Sequence, residues 1–168
     1  MGKLVFLRKR LAGLNPSALE RFVRRARREL RLRGTVNVLL TNSAEMRALN
    51  RQFRHKDKAT DVLSFPSLEV LRTPARAAGE LAISLDIARE NANHLGHAVA
   101  EEVKILVLHG ILHLAGFDHE RDNGEMAREE SRLRRKLKLN VTLIARSSAQ
   151  SAIRKRRPVS TPARRRTV

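Results

Sequence analysis

The sequence contains no cysteine, no tryptophan and no tyrosine. Without thiolates, disulfides, iron–sulfur clusters and cysteine-ligated zinc are all excluded. Five phenylalanines are its only members of the large aromatic class. A protein that grips single strands by base stacking normally carries more rings. Contact with a nucleic acid is therefore expected mainly at phosphates, with weak base readout. Also lacking is any stretch of about 18 uncharged apolar residues, which excludes a spanning helix. The apolar run from Leu4 to Leu7 is too short for the core of a signal peptide, and Arg8, Lys9 and Arg10 follow it where such charges should precede it. The expectation is a soluble, cytoplasmic protein. Acidic residues are few: 17 Asp and Glu stand against 35 Lys and Arg, a formal charge of +18.

What is there is enough for one ordinary domain. The 168 residues are 42% apolar, so a core can form without staples. Eight of the basic residues and none of the acids fall in 146–168, so residues 1–145 keep a surplus of ten positive charges. We expect a folded domain over 1–145 and a disordered basic tail over 146–168, where Ser, Arg and Pro dominate. A surplus of this size favours polyanionic partners. The tail reads as a polyanion-binding arm or as an idle extension.

The patterning alternates strands and helices. Lys3 to Leu7 is a possible first strand. Asn15 and Pro16 open a helix that Gly34 is expected to stop. Leu19, Phe22, Val23, Ala26 and Leu30 form its apolar stripe, and Arg24, Arg25, Arg27, Arg28 and Arg31 its other face. That face fits a solvated surface and an RNA-facing one equally well. Thr35 to Thr41 alternates as a strand. Asn42 or Ser43 caps a short helix through Leu49, and residues 50–60 read as a loop. Val62 to Phe65 is a short strand stopped by Pro66, followed by a mobile loop over 67–78. Leu81, Ile83 and Leu85 alternate in a further strand. Asp86 is expected to cap a helix to Leu95, with Gly96 as the break. A second helix runs from Val99 to Ala115, and Asn123 caps a last one from Glu125 to Leu139, with Glu130 and Arg134 at the favoured i,i+4 spacing. No internal repeat is visible. Together these elements predict an α+β fold, a small mixed sheet covered mostly on one face by helices.

The stretch that carries chemistry is His109-Gly110-Ile111-Leu112-His113-Leu114-Ala115-Gly116-Phe117-Asp118-His119. Two histidines four apart on a helix project to one side, a turn from each other. Gly116 can end the helix in a left-handed conformation, and the returning chain can bring His119 to the same point. Three imidazoles with an open fourth position are the donor set of a catalytic zinc. Zinc is favoured over iron, nickel or copper on that donor set. The ligands are neutral, so the ion would keep its full charge and attract anionic oxygen. The same spacing defines metzincin proteases, whose residue after the first histidine is the glutamate base. Here it is Gly110, which weakens a peptidase reading. Asp118 stands next to the third histidine as a possible base or orienting group. His55 is not needed, and His94 and His97 read as surface residues.

The block from His109 to His119 resembles the signature H-G-x-L-H-L-x-G-[FY]-D-H of the bacterial YbeY family of endoribonucleases and rRNA maturation factors. Residues 49–66, Leu-Asn-Arg-Gln-Phe-Arg-His-Lys-Asp-Lys-Ala-Thr-Asp-Val-Leu-Ser-Phe-Pro, are similar to that family's second motif. Gly79 to Ser84 is a weaker third match, where the family more often has Asp in place of Glu80. The resemblance spans about residues 35–140. It implies a zincin-like α+β domain with one Zn2+ held by His109, His113 and His119. It makes Arg54 and His109 the catalytic candidates, since Arg54 matches an arginine important for activity in the family. A guanidinium can fork onto phosphate oxygens and stabilise developing charge. Asp61, Ser64 and Phe65 would shape the loop and sheet around the site. Glu80 carries its charge one methylene further from the backbone than that Asp would.

By resemblance, the expected activity is single-strand-specific cleavage of RNA in rRNA maturation, at the 3′ end of 16S rRNA, and in 70S ribosome quality control. The expected partners are single-stranded rRNA and the small ribosomal subunit, with no membrane. The alternative is a non-catalytic RNA-binding assembly factor whose zinc is structural. A metal hydrolase acting on peptides is a third reading, and a helix-turn-helix DNA binder a distant fourth.

Overall fold

A computed structural model of the protein describes residues 4–8, 11–67 and 77–139. The tail expected over 146–168 lies outside the described residues, as do positions 68–76 of the expected mobile loop. Residues 77 and 78 of that expected loop instead begin a strand.

Among the described residues the sheet has four strands in the order β1-β2-β4-β3. β1 is Val5–Leu7, β2 Thr35–Thr41, β3 Val62–Pro66 and β4 Ala77–Ser84. β2 runs parallel to β1, with Val5 opposite Val38, and parallel to β4, with Leu40 opposite Ile83. β3 is antiparallel to β4, with Ser64 opposite Leu81. Alternation along β2 and β4 sends Val36, Val38, Leu40, Leu81 and Ile83 to one face, where all are buried. Among the described residues five helices accompany the sheet: α1 Pro16–Glu29, α2 Ser43–Arg54, α3 Leu85–Leu95, α4 Val99–Leu114 and α5 Glu125–Leu137. The main core joins Leu19, Phe22 and Val23 of α1, Leu85 and Ala88 of α3 and most of α4 to that sheet face. Among the described residues only α2 covers the opposite face, through Met46 against Leu63 and Ala82. The α+β architecture and the one-sided covering are as the sequence predicts. Among the described residues no helix is long and apolar enough to cross a membrane.

α4 is the axis of the molecule. Val103, Ile105, Leu106, Val107, Leu108, Ile111 and Leu112 are all fully buried. The helix is apolar nearly all round because it touches β3 and β4 on one side and α1, α3 and α5 on others. Truncating one of its buried leucines to alanine should cost about 2–5 kcal/mol. Gly110 lets its backbone approach the sheet. An ideal Cβ at that position would lie 2.7 Å from Leu81 Cδ2 and 3.3 Å from Ser64 Oγ.

Several boundaries differ from expectation, each for a local reason. α1 stops at Glu29, short of Gly34, because Arg31 turns to positive φ and the Arg27 guanidinium donates to the carbonyls of Leu32 and Gly34. Its arginine face is partly engaged: Arg25 donates to the Lys136 carbonyl at 2.9 Å and Arg24 pairs with Glu20 at 3.6 Å. α2 continues past Leu49 to Arg54 and ends on His55 in the left-handed region. Its last turn is polar in sequence, yet Asn50 is buried and donates to the Lys58 carbonyl, which folds the following loop back onto the helix. Leu85 belongs to α3 rather than to the strand, and Ser84 caps that helix. Asp86 instead accepts from the Ser43 N–H at the start of α2. α5 begins after Gly124, where the Asp122 carboxylate accepts from the N–H groups of Gly124 and Met126, and it ends at Leu137. Asn123 is therefore not the cap.

Candidate metal centre

Within α4 most side chains beyond the first turn are buried, but His109 and His113 are only half-buried and share one face of the helix. The helix ends just beyond them. Gly116 adopts φ 94°, its N–H returns to the His113 carbonyl, and the Phe117 N–H reaches the Leu112 carbonyl. The chain then enters a tight turn in which the N–H groups of Arg121 and Asp122 both bond the Asp118 carbonyl. His119 stands in that turn, exposed. One ligand nitrogen from each of the three rings lies within 4.8 Å of the others. The ring centroids of His109 and His113 are 4.8 Å apart, and each is 5.3 Å from that of His119.

The orientation of the rings suits a cation. The Nε2 atoms of His109 and His113 face one another at 3.2 Å. Two nitrogens at zinc bond length on a tetrahedral ion are separated by roughly 3.3 Å. The outward nitrogens are held by acceptors: His113 Nδ1 by the Phe117 carbonyl at 3.0 Å, and His109 Nδ1 by Glu130 Oε2 at 3.3 Å. With Nδ1 acting as donor, each Nε2 presents its lone pair inward. Burial first, and then the neighbouring His109 and His119, hold the His113 imidazole below the ordinary histidine range. The neutral form is the one that ligates. The donor set and its convergence fit a zinc-like ion.

Arg54 is exposed in the last turn of α2 rather than in a loop. Its neighbour Phe53 packs edge-on against Phe65 of β3, with ring centroids 5.1 Å apart, while Ser64 on the other face of β3 donates to the Gly110 carbonyl at 3.3 Å. The edge strand β3 thus separates the end of α2 from the histidine-bearing helix. Asp118 does not bond a histidine among the described residues; its carboxylate accepts from the Glu120 N–H and pairs with Arg121 at 3.5 Å. It shapes the turn that presents His119. His55 is the exposed cap of α2, and His94 Nδ1 meets the Glu90 carbonyl. His97 is not a surface residue. Its side chain is buried against Glu102 at 2.8 Å, and Asn91 holds the other oxygen of that carboxylate. It ties the α3–α4 hairpin together, because Gly96 turns it inward.

Two features escape a sequence reading. Glu130 looks like one half of an exposed helical ion pair, yet it is buried beside His109. The signal was its spacing: Met126, Glu130, Leu133 and Leu137 recur on one face of α5, so the carboxylate lies on the apolar stripe. The second feature is a groove of ≈ 380 Å³ on the sheet face opposite α4, where Phe6, Leu39, Phe53, Phe65 and Glu80 meet. Phe6 and Phe53 are 44% and 55% exposed there. Three of the five rings gather in one place, but no histidine joins them.

Comparison with known proteins agrees with the geometry. The family profile described as endoribonuclease YbeY matches residues 8–151. The endoribonuclease YbeY of Koribacter versatilis (strain Ellin345) is 53% identical over 157 residues, covering 92% of this chain and 100% of that protein. The corresponding protein of Solibacter usitatus (strain Ellin6076) is 48% identical over 145 residues, covering 86% and 95%. The solution structure of TM1509 from Thermotoga maritima aligns with a TM-score of 0.52 at 28% identity, over 96% of this chain and 99% of that one. A family match over most of the chain, together with relatives this similar over their whole length, establishes that the chain belongs to the endoribonuclease YbeY family.

Proposed function

We propose that this protein is a zinc-dependent endoribonuclease that cuts single-stranded RNA during rRNA maturation, at the 3′ end of 16S rRNA, and in 70S ribosome quality control. It would act in the cytoplasm, on the ribosome or its small subunit. The observation that carries the reading is the convergence of His109, His113 and His119 in a chain of this family. The zincin-like character of the fold belongs to the same reading. The three histidines would hold one Zn2+, and His109 and Arg54 would be the catalytic residues. Zinc at that position supplies Lewis acidity toward a phosphate oxygen or a water. Arg54, exposed and without an ion-pair partner among the described residues, would fork onto the phosphate and hold it against β3. The charge of +18 would gather RNA through its backbone.

Gly110 speaks against a peptidase. A glutamate there would have its Cβ pressed against Leu81 and Ser64, where only glycine fits. The test is zinc content by elemental analysis together with cleavage of single-stranded RNA by wild type and His113→Ala prepared side by side. One zinc per chain and cleavage lost in the variant are expected. Cleavage that survives zinc loss refutes the reading, and a folded His113→Ala protein that still supports rRNA processing makes the metal structural. A 2′,3′-cyclic phosphate on the product would identify the ribose hydroxyl as nucleophile, and its absence would favour water.

A further inference from the structure

The rings of His109 and His113 are aimed by different means. His113 leans on the Phe117 carbonyl, which the turn at Gly116 supplies from the main chain. His109 has instead a side chain from another helix: Glu130 of α5, whose Oε2 lies 3.3 Å from His109 Nδ1. Glu130 is 1% exposed. Burying a carboxylate is costly unless it is paired, and a leucine on the Met126–Leu133 stripe would fill the space without that cost. Arg134, buried one turn further along α5, is of opposite sign and lies on the same helix. The contact with His109 is what reaches the cluster.

We propose that Glu130 is the positioning residue of the metal centre: it accepts the Nδ1–H of His109, fixes that ring in the tautomer whose Nε2 lone pair is free, and aims that nitrogen at the point shared with His113 and His119. The inference rests on the metal reading above. A carboxylate behind a ligating imidazole also makes the inner nitrogen a better donor to a cation. The connectivity closes on itself. The turn that presents His119 runs into the Asp122 cap, the cap starts α5, and α5 brings Glu130 back to His109. Correct docking of α5 is then a condition for a correctly aimed ligand set.

The experiment uses the full chain. In Glu130→Gln the shape and one acceptor oxygen are kept and the charge is removed. Zinc affinity, read by competition with a chromophoric chelator, should fall by about 10–100-fold while the far-ultraviolet circular dichroism stays that of wild type. A change smaller than about twofold overturns the proposal. Should the variant fail to fold, long-range 1H–15N spectra of the metal-free wild type decide the matter: His109 must carry its proton on Nδ1, and an Nε2–H tautomer overturns the proposal. Wild type that binds zinc with this dependence on Glu130 but cuts no RNA would sink the nuclease reading and leave Glu130's role standing. Wild type that binds no zinc would sink both.

Discussion

Gly110 follows His109 on the face of α4 that meets the sheet, and its replacement by alanine tests how tightly the metal helix is seated. The new Cβ would lie 2.7 and 3.1 Å from the two methyls of Leu81. Leu81 is 1% exposed, so those methyls have no open space to move into. Two effects oppose each other. Alanine in a helix interior is favoured over glycine by about 1 kcal/mol, and overpacking a filled core costs about 1–3 kcal/mol. Gly110→Ala should therefore destabilise by about 0–2 kcal/mol. Leu81→Ala alone opens a void and should cost about 2–5 kcal/mol. In the double variant the offending methyls are gone and the helix gain remains. Adding Gly110→Ala to Leu81→Ala should then stabilise by about 1 kcal/mol, the reverse of its effect in wild type. The coupling energy is expected at about 1–3 kcal/mol in favour of the pair. Urea unfolding of the four metal-free proteins, followed by circular dichroism, measures it. Additivity within about 0.5 kcal/mol would refute the close approach of α4 to β4.

Arg54→Ala should lower RNA cleavage and leave zinc content and melting temperature unchanged, because the side chain is exposed in the last turn of α2; a loss of bound zinc would show that it acts through the fold. Deleting residues 146–168 removes eight positive charges, and should weaken RNA binding at low salt more than at high salt; equal affinity before and after deletion shows the tail to be idle. The lowered pKa of His113 gives a stability term with a definite sign. Its protonation favours the unfolded chain, where the ordinary value applies, so the term is fully present above the ordinary value and is lost as pH falls through the lowered one. The melting temperature of the metal-free protein should drop on acidification below about pH 6.5, and the drop should be smaller in His113→Gln. Saturating zinc should raise the melting temperature of wild type, by the equivalent of about 2.7 kcal/mol at a hundredfold excess over Kd, and leave His113→Ala unmoved.

The sequence was most legible where periodicity and local chemistry agree. Val36, Val38 and Leu40 alternate, and so do Leu81 and Ile83, and both sets form the buried sheet face. His109 and His113 stand a helical turn apart, and Gly116 marks the reversal that returns His119. It was least legible at ends and polar turns. The last turn of α2 carries too few apolar residues to read as helix, and is held by Asn50 reaching a carbonyl eight positions on. Asp86 reads as a cap for its own helix, yet it accepts the Ser43 N–H at the start of α2 across the fold.

By itself the sequence determined what kinds of chemistry are open to this protein. It has imidazoles and no thiolates, a basic surface, and three histidines at a spacing that local backbone geometry alone can bring to one point. Helix pitch and a left-handed glycine act within ten residues, so a linear string carries them. The tertiary structure decided which partners those groups meet. Only α5 docked on α4 puts Glu130 behind His109, and only the seating of α4 on the sheet brings Gly110 against Leu81. Each of these joins residues far apart in the chain, and distant pairings are set by how the buried faces fit together, which no local pattern records.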